Sequence, residues 1–231
     1  MTSALPQPEA LLFDLDGTLV DTAPDLARAT NALRAHHGMP ALPYPTIRTQ
    51  VSNGGSALVT LALGLDKDHP DHGTARDFLL ARYGEAVAID SVVFPPLDRL
   101  LKTWVEAGRP WGIVTNKPRA YAVPLVAELV EAELGLHPDV LLCADDLPVK
   151  KPDPAPLLEA ARRLGVVPER CWYVGDHRRD IEAAHAAGMT AVAVGYGYME
   201  VENDHRGWSA DLCVDTAEEL AKALLTDHAC R

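Results

Sequence analysis

The chain is short of positive charge. Lysine and arginine number 21 against 33 aspartates and glutamates, a formal net charge of −12 over 231 residues. A surface of that sign repels phosphate polyanions, which excludes non-specific binding to nucleic acid or to anionic membranes. One small phosphorylated ligand needs only a local positive site and stays open. Cysteine is scarce as well. Cys143, Cys171, Cys213 and Cys230 have no C-x-x-C spacing, so neither a zinc knuckle nor a redox pair is indicated, and three of them sit in apolar runs as small core residues. No apolar run approaches the ~20 residues that span a bilayer, and Met1–Ala10 lacks the basic start and apolar stretch of a secretory signal. The expectation is a soluble cytoplasmic protein. Internal repeats and low-complexity tracts are absent. What is present is 48% hydrophobic residues and 23% charged ones, a globular balance that excludes disorder. A chain of this length buries roughly 70–75% of its unfolded surface and needs no metal or disulfide to hold it.

Short continuous apolar runs at Ala10–Leu15, Trp111–Thr115, Asp139–Cys143, Cys171–Gly175 and Ala191–Val194 read as strands buried on both faces of a parallel sheet. Helical patterns between them end in glycine: Leu97–Ala107 before Gly108, Pro154–Leu164 before Gly165, Arg178–Ala187 before Gly188. This alternation predicts a doubly wound, Rossmann-like α/β core. A weaker strand at Asp211–Val214 and a helix at Ala217–Leu225 close it, with Thr226–Arg231 frayed. From Thr22 to Phe94 the pattern is almost wholly helical, so residues 21–94 are expected to form a helical subdomain inserted after the first strand, the core being 1–20 and 95–231. Thr22-Ala-Pro-Asp25 has the form of a capping box opening an amphipathic helix that ends at Gly38 and Pro40. Asn53-Gly54-Gly55 interrupts the next helical pair, and Asp71–Val87 is a longer helix.

Four segments carry candidate chemistry. In Leu12-Phe13-Asp14-Leu15-Asp16-Gly17-Thr18-Leu19 an apolar strand runs into two aspartates one residue apart. Period-two geometry sends both carboxylates the same way at the strand's carboxyl end, where ligands bind in open parallel sheets. Paired carboxylates there raise one pKa or recruit a cation; an acidic turn with Gly17 supplying a positive φ is the plainer reading. Ile113-Val114-Thr115-Asn116-Lys117 brings neutral donors to the same edge, and a turn or helix cap would use the same residues; Lys117 reads as a solvated loop lysine. Lys150-Lys151-Pro152-Asp153-Pro154 opens a helix and offers a compact charge for phosphoryl oxygens, or simply a basic loop. Tyr173-Val174-Gly175-Asp176-His177-Arg178-Arg179-Asp180 delivers a further carboxylate to the crevice, and Asp180 also suits a helix N-terminus.

Taken in order along the chain, these segments resemble the four motifs of the haloacid dehalogenase (HAD) superfamily, in particular its phosphatases of the phosphoglycolate phosphatase-like group. The resemblance implies that Asp14 is the nucleophile that becomes an aspartyl-phosphate and that Asp16 is general acid, then base. It selects Lys151, through the pattern Lys-Pro-x-Pro, as the active-site lysine. Asp14, the backbone carbonyl of Asp16 and Asp176 would hold Mg²⁺, whose preference is for oxygen ligands, with Asp180 behind them. Thr18, Thr115, Asn116 and Lys151 are the expected phosphate or substrate contacts, joined by Asn53 and Gly54 of the insertion, which resembles the family's cap. Asp16 argues against dehalogenation, and Thr18 favours hydrolysis over mutase chemistry. The implied reaction is Mg²⁺-dependent hydrolysis of a small phosphorylated metabolite, of the phosphoglycolate type. Gly175–Asp180 and Tyr196-Gly197-Tyr198 also resemble a subgroup acting on N-acetylmuramic acid 6-phosphate. A phosphotransferase or mutase, or a catalytically silent phosphate-binding module, are the alternatives. Elsewhere, His69 and His72 read as solvated, Trp104, Trp111, Trp172 and Trp208 as core, His177 as a subgroup substitution, and Arg178 and Arg179 as solvated helix-face residues. Tyr196-Gly197-Tyr198 reads either as crevice rim or as packing.

Overall fold

The computed structural model describes residues 5–198 and 204–225; Cys230 and Thr226–Arg231 lie outside them. The first strand, β1 (Ala10–Phe13), is followed by the short β2 (Val20–Asp21), helices α1 (Ala23–His36), α2 (Tyr44–Arg48), α3 (Gly54–Leu63) and α4 (His72–Gly84), and the short β3 (Val92–Val93). Then come α5 (Leu97–Glu106), β4 (Trp111–Val114), α6 (Arg119–Val126, continued as a π-helix over Ala127–Ala132), β5 (Val140–Leu142), α7 (Ala155–Leu164), β6 (Cys171–Gly175), α8 (Arg178–Ala186), β7 (Thr190–Val194), β8 (Leu212–Val214) and α9 (Ala217–Leu225).

Six strands form one all-parallel sheet in the order β5-β4-β1-β6-β7-β8. The strands are apolar throughout because each face meets its own core. Leu11 and Phe13, Trp111 and Ile113, Trp172 and Val174, Val192 and Val194 pack into one cluster with α5 and α9. Ala10, Leu12, Tyr173, Ala191 and Ala193 pack into the other, where Leu157, Ala160 and Ala161 of α7 and Ile181, Ala183 and Ala184 of α8 cover them. The doubly wound α/β arrangement follows from that two-sided burial. Gly108, Gly165 and Gly188 end α5, α7 and α8 with φ near +70°.

The strand order reverses at β1. The chain builds β4 and β5 on one side of it, then crosses to add β6, β7 and β8 on the other. Such a reversal opens a crevice beyond the strands' carboxyl ends. β2 and β3, which the apolar pattern did not foreshadow, pair antiparallel as Val20 with Val93 and Asp21 with Val92, so the chain leaves and re-enters beside itself. Between them α1 packs against α2, α3 and α4.

The capping box expected at Thr22 and Asp25 does not form. Thr22 makes no side-chain cap bond; its hydroxyl donates to Asp16 Oδ1 at 2.5 Å. Asp25 is fully buried and accepts from the backbone N–H groups of Ile89, Asp90 and Ser91 and from the Ser91 hydroxyl. Thr22 turns back to Asp16 six residues earlier, and Asp25 finds its partners more than sixty residues later, so neither serves the local cap. His72 is buried, with Nε2 3.4 Å from the Ser56 carbonyl, whereas His69 is exposed. Trp104, Trp111 and Trp172 are buried and Trp208 is partly so. Cys143 and Cys171 are buried free thiols, and Cys213 is half-buried.

Candidate active site

Three adjacent strands end at the crevice. β1 delivers Asp14, β4 delivers Thr115 and β6 delivers Asp176, while the loop after β5 brings Lys151. Ladder bonds continue to the last residue before the chain turns: Asp14 N–H donates to the Val174 carbonyl and Thr115 N–H to that of Leu142, each at 2.9 Å.

Lys151 sits at the centre. It is 2% exposed, with Nζ 3.0 Å from Asp14 Oδ1 and 2.8 Å from Asp180 Oδ1. Nζ also donates to the hydroxyl of Tyr173 at 2.6 Å, and that hydroxyl donates to the Val114 carbonyl at 2.8 Å. Three ammonium protons thus face four acceptors: two carboxylates, the Tyr173 hydroxyl and the Val114 carbonyl, the last 2.9 Å from Nζ, a satisfied buried network. Burial opposes the charge on Lys151, but Asp14 and Asp180 together raise its pKa above that of an ordinary lysine. Lys150 beside it is exposed. Asn116 straps the lysine loop: its side chain donates to the Lys151 carbonyl at 2.9 Å and accepts from the Lys151 N–H at 3.1 Å. Asn116 thereby holds Lys151 in place, and with one amide proton on Nδ2 still uncommitted among the described residues it also lines the cavity.

Asp14, Asp176 and Asp180 each present a carboxylate oxygen within 4.8 Å of the others, all three residues buried. Asp14 Oδ1 accepts from Leu15 N–H at 2.7 Å as well as from Lys151, and Oδ2 accepts no hydrogen bond among the described residues. Asp176 accepts from Tyr198 N–H at 2.9 Å and from the Ser52 hydroxyl at 3.0 Å. Those bonds do not offset burial and the charges of Asp14 and Asp180, and its pKa is pushed up to about 7. Lys151 contacts two of the three clustered carboxylates, Asp14 and Asp180, and the cluster is a donor set of oxygens that fits a divalent cation. Asp180 also accepts from His177 N–H at 3.1 Å, and His177 Nδ1 accepts from Arg179 N–H at 3.2 Å, a reciprocal cap on α8. Glycine is required at two positions beside Asp176. Gly17 has φ +78°, and a Cβ on either Gly17 or Gly197 would collide with the Asp176 carboxylate.

Asp16 occupies a separate position. Its Oδ1 lies 2.8 Å from Lys117 Nζ. Lys117 is buried, contrary to its reading as a solvated loop residue, and its ammonium stacks 4.5 Å from the ring centroid of Tyr83 on α4. Burial opposes that charge; Asp16 and then Tyr83 outweigh it and raise the lysine's pKa. Thr18, expected at the phosphate, is instead fully buried with its hydroxyl 3.4 Å from Asp176 Oδ1, away from the cavity. Arg178 is solvated and pairs with Glu182, but Arg179 reaches across to donate to the Ser52 carbonyl. Arg48 likewise donates to the carbonyls of Tyr196 and Gly197 and lies over the Tyr198 ring. Tyr198 is buried, its hydroxyl bonded to Asp21 and to the N–H groups of Thr22 and Ala23; Tyr196 packs on Phe94. The pair is packing, not rim.

A cavity of about 460 Å³ lies over this site. Asp14, Asp16, Thr115, Asn116, Lys117 and Lys151 line it from the sheet edge, and Ser52, Asn53, Gly54, Leu80 and Tyr83 from the helices opposite. The residues not foreseen were Lys117, Tyr173, Ser52 and Arg179. Lys117 adjoins Thr115-Asn116, the one signal that could have marked it.

An acidic side chain at the end of the central strand, a buried lysine and two further carboxylates, all beneath a covered cavity, define an enzyme of phosphoryl chemistry. The chain belongs to the haloacid dehalogenase-like hydrolases, whose family model matches residues 8–188, and it is a phosphatase of that family. It is 43% identical over 216 residues to the N-acetylmuramic acid 6-phosphate phosphatase of Pseudomonas aeruginosa, covering 94% of each protein. It is 40% identical over 219 residues to the phosphoglycolate phosphatase of Xanthomonas campestris pv. campestris, covering 92% of this chain and 95% of that one. Among solved structures, one described as a predicted phosphoglycolate phosphatase from Haemophilus somnus superposes with a TM-score of 0.81 at 27% identity, covering 94% of this chain and 98% of that chain. Among the described residues no helix is long and apolar enough to cross a membrane.

Proposed function

We propose that the chain hydrolyses a small phosphate monoester through an aspartyl-phosphate on Asp14. The observation that supports this best is the placement of Asp14 against Lys151 at the cavity floor, with Oδ2 left uncommitted. Asp14 attacks phosphorus, and the leaving oxygen takes its proton from Asp16. Asp16 then removes a proton from water, whose attack on phosphorus releases phosphate and restores Asp14. Lys151 offsets charge on Asp14 and on the phosphoryl oxygens, and the Thr115 hydroxyl donates to one of them. Asp14, Asp176 and the Asp16 carbonyl, with Asp180 as a further neighbour, would hold Mg²⁺, which supplies charge neutralisation at the phosphoryl group when bound. Residues 21–94 act as the cap, excluding bulk water through Ser52, Arg48 and the contact from Arg179. Asn53 and Gly54 belong to its substrate-facing loop. The described cysteines are free thiols, which suits a cytoplasmic enzyme.

Phosphoglycolate, named for several relatives, is one substrate reading. A cavity of about 460 Å³ favours the second, N-acetylmuramic acid 6-phosphate, because a phosphorylated sugar fills such a volume far better than a two-carbon acid. Phosphate release from both, with p-nitrophenyl phosphate as a generic ester and with and without Mg²⁺, tests the reading. Release that depends on Mg²⁺ and vanishes in Asp14→Asn supports it. No release above a buffer blank from any ester would leave only the silent phosphate-binding module, and transfer to an acceptor rather than to water would identify a phosphotransferase.

A further inference from the structure

The cavity is lined by six cationic side chains, Lys67, Arg76, Lys117, Lys150, Lys151 and Arg179, and by only two carboxylates, Asp14 and Asp16. In a chain of net charge −12 that local excess is directed at a ligand. Three of the six are committed: Lys151 to Asp14 and Asp180, Lys117 to Asp16, Arg179 to the Ser52 carbonyl. Lys67 and Lys150 are exposed at the rim, where they attract anions without fixing them. Arg76 differs from both groups. It is half-buried, and it forms no hydrogen bond or ion pair among the described residues.

Its position is set by α4. Arg76, Leu80 and Tyr83 are spaced four and three residues apart, so they share one face of the helix, and all three line the cavity. Tyr83 covers Lys117, which holds Asp16. Arg76 therefore lies about 10 Å farther along the helix axis, seven residues at about 1.5 Å each. The phosphoryl end of the cavity is already served by Lys151 and Thr115. A half-buried guanidinium at the other end, with no anion of the chain beside it, calls for one brought by the ligand. Its planar fork matches a carboxylate through two parallel hydrogen bonds.

Resting on the phosphatase reading above, we propose that Arg76 is a specificity-determining residue that binds a carboxylate on the substrate, remote from the phosphoryl group. The substrate class is then a phosphorylated carboxylic acid, and the spacing suits a sugar acid better than a two-carbon one.

The test is a ratio of kcat/KM values between esters that differ in the carboxylate: N-acetylmuramic acid 6-phosphate against N-acetylglucosamine 6-phosphate, and 2-phosphoglycolate against ethyl phosphate. The wild type should prefer the acid in the sugar pair. Arg76→Gln should shrink that preference about tenfold to a hundredfold, mainly through KM, as loss of a charge-assisted hydrogen bond does. Arg76→Lys should recover part of it, and Arg82→Gln, on the same helix but paired with Glu85 outside the cavity, should leave it intact. A wild-type preference near one in both pairs, or a preference that Arg76→Gln does not change, overturns the assignment while phosphate release upholds the phosphatase reading. Preference in the two-carbon pair alone overturns the sugar-acid spacing. If the wild type hydrolyses none of the esters, both readings fall together.

Discussion

Replacing Lys151 by methionine removes a charge while nearly keeping the side chain's volume, so it isolates the electrostatic part of the site. The ammonium lies 3.0 Å from Asp14 and 2.8 Å from Asp180. At an effective dielectric of about 20, each contact is worth about 5–6 kcal/mol of gross attraction. Much of that is offset by the cost of burying the lysine, and breaking one partner out of a buried ion pair costs about 3–5 kcal/mol net. We expect a loss of that size at pH 8, where the carboxylates left behind are ionised and uncompensated. The folded-state pKa of Asp180, raised by burial and held down by Lys151, rises further in the variant. A carboxylate with a raised folded pKa favours the folded state at low pH and loses that contribution as pH climbs through the folded value. The deficit should therefore shrink at pH 5. Mg²⁺ should restore part of it at pH 8. Urea denaturation followed by circular dichroism, at both pH values with chelator or with Mg²⁺, gives the comparison. A deficit below about 1 kcal/mol at pH 8, or one that grows on acidification, would refute this description of the lysine.

Asp176 makes a related prediction for the unaltered protein. Its folded pKa of about 7 lies about 3 units above the ordinary aspartate value near 3.9. The stability it contributes is complete below about pH 4 and is lost as pH rises through 7, about 4 kcal/mol in total. Chelator-treated protein should lose that component of stability between those limits. Stabilisation by Mg²⁺ should strengthen over the same range, since metal and proton compete for one carboxylate, and a Mg²⁺ effect independent of pH in thermal melts would contradict the assignment. Gly17→Ala should lower stability by at least about 1 kcal/mol, the cost of an L-residue at positive φ, and should depress phosphate release further by displacing Asp176. Melting temperature and turnover equal to wild type would show that the close approach of Gly17 and Asp176 has no consequence.

The core was legible because its signals are local. Strands buried on two faces must be apolar at every position, and Leu11–Phe13 and Trp172–Val174 are so. Asp14, Thr115 and Asp176 each fall just past such a run, and parallel strands bring their carboxyl ends to one edge. What stayed hidden depends on partners far away in the chain. Asp25 has the local form of a cap residue, but the backbone of Ile89–Ser91 holds it instead. Lys117 and Arg179 look solvated until the inserted helices place Tyr83 and Ser52 over them. Thr18 follows the nucleophile's strand yet turns inward to Asp176, because Gly17 reverses the chain between them. Tyr173 reads as one more apolar strand residue, and only the buried lysine above it gives its hydroxyl a role.

The central claim is that Asp14 carries the phosphoryl group during turnover. Protein quenched in acid while hydrolysing a phosphate ester, digested with pepsin and analysed by mass spectrometry, should carry phosphate on the peptide containing Asp14, and borohydride should reduce that same residue to an alcohol. Turnover at the wild-type rate in Asp14→Asn, with phosphate found on another residue or on none, would contradict it.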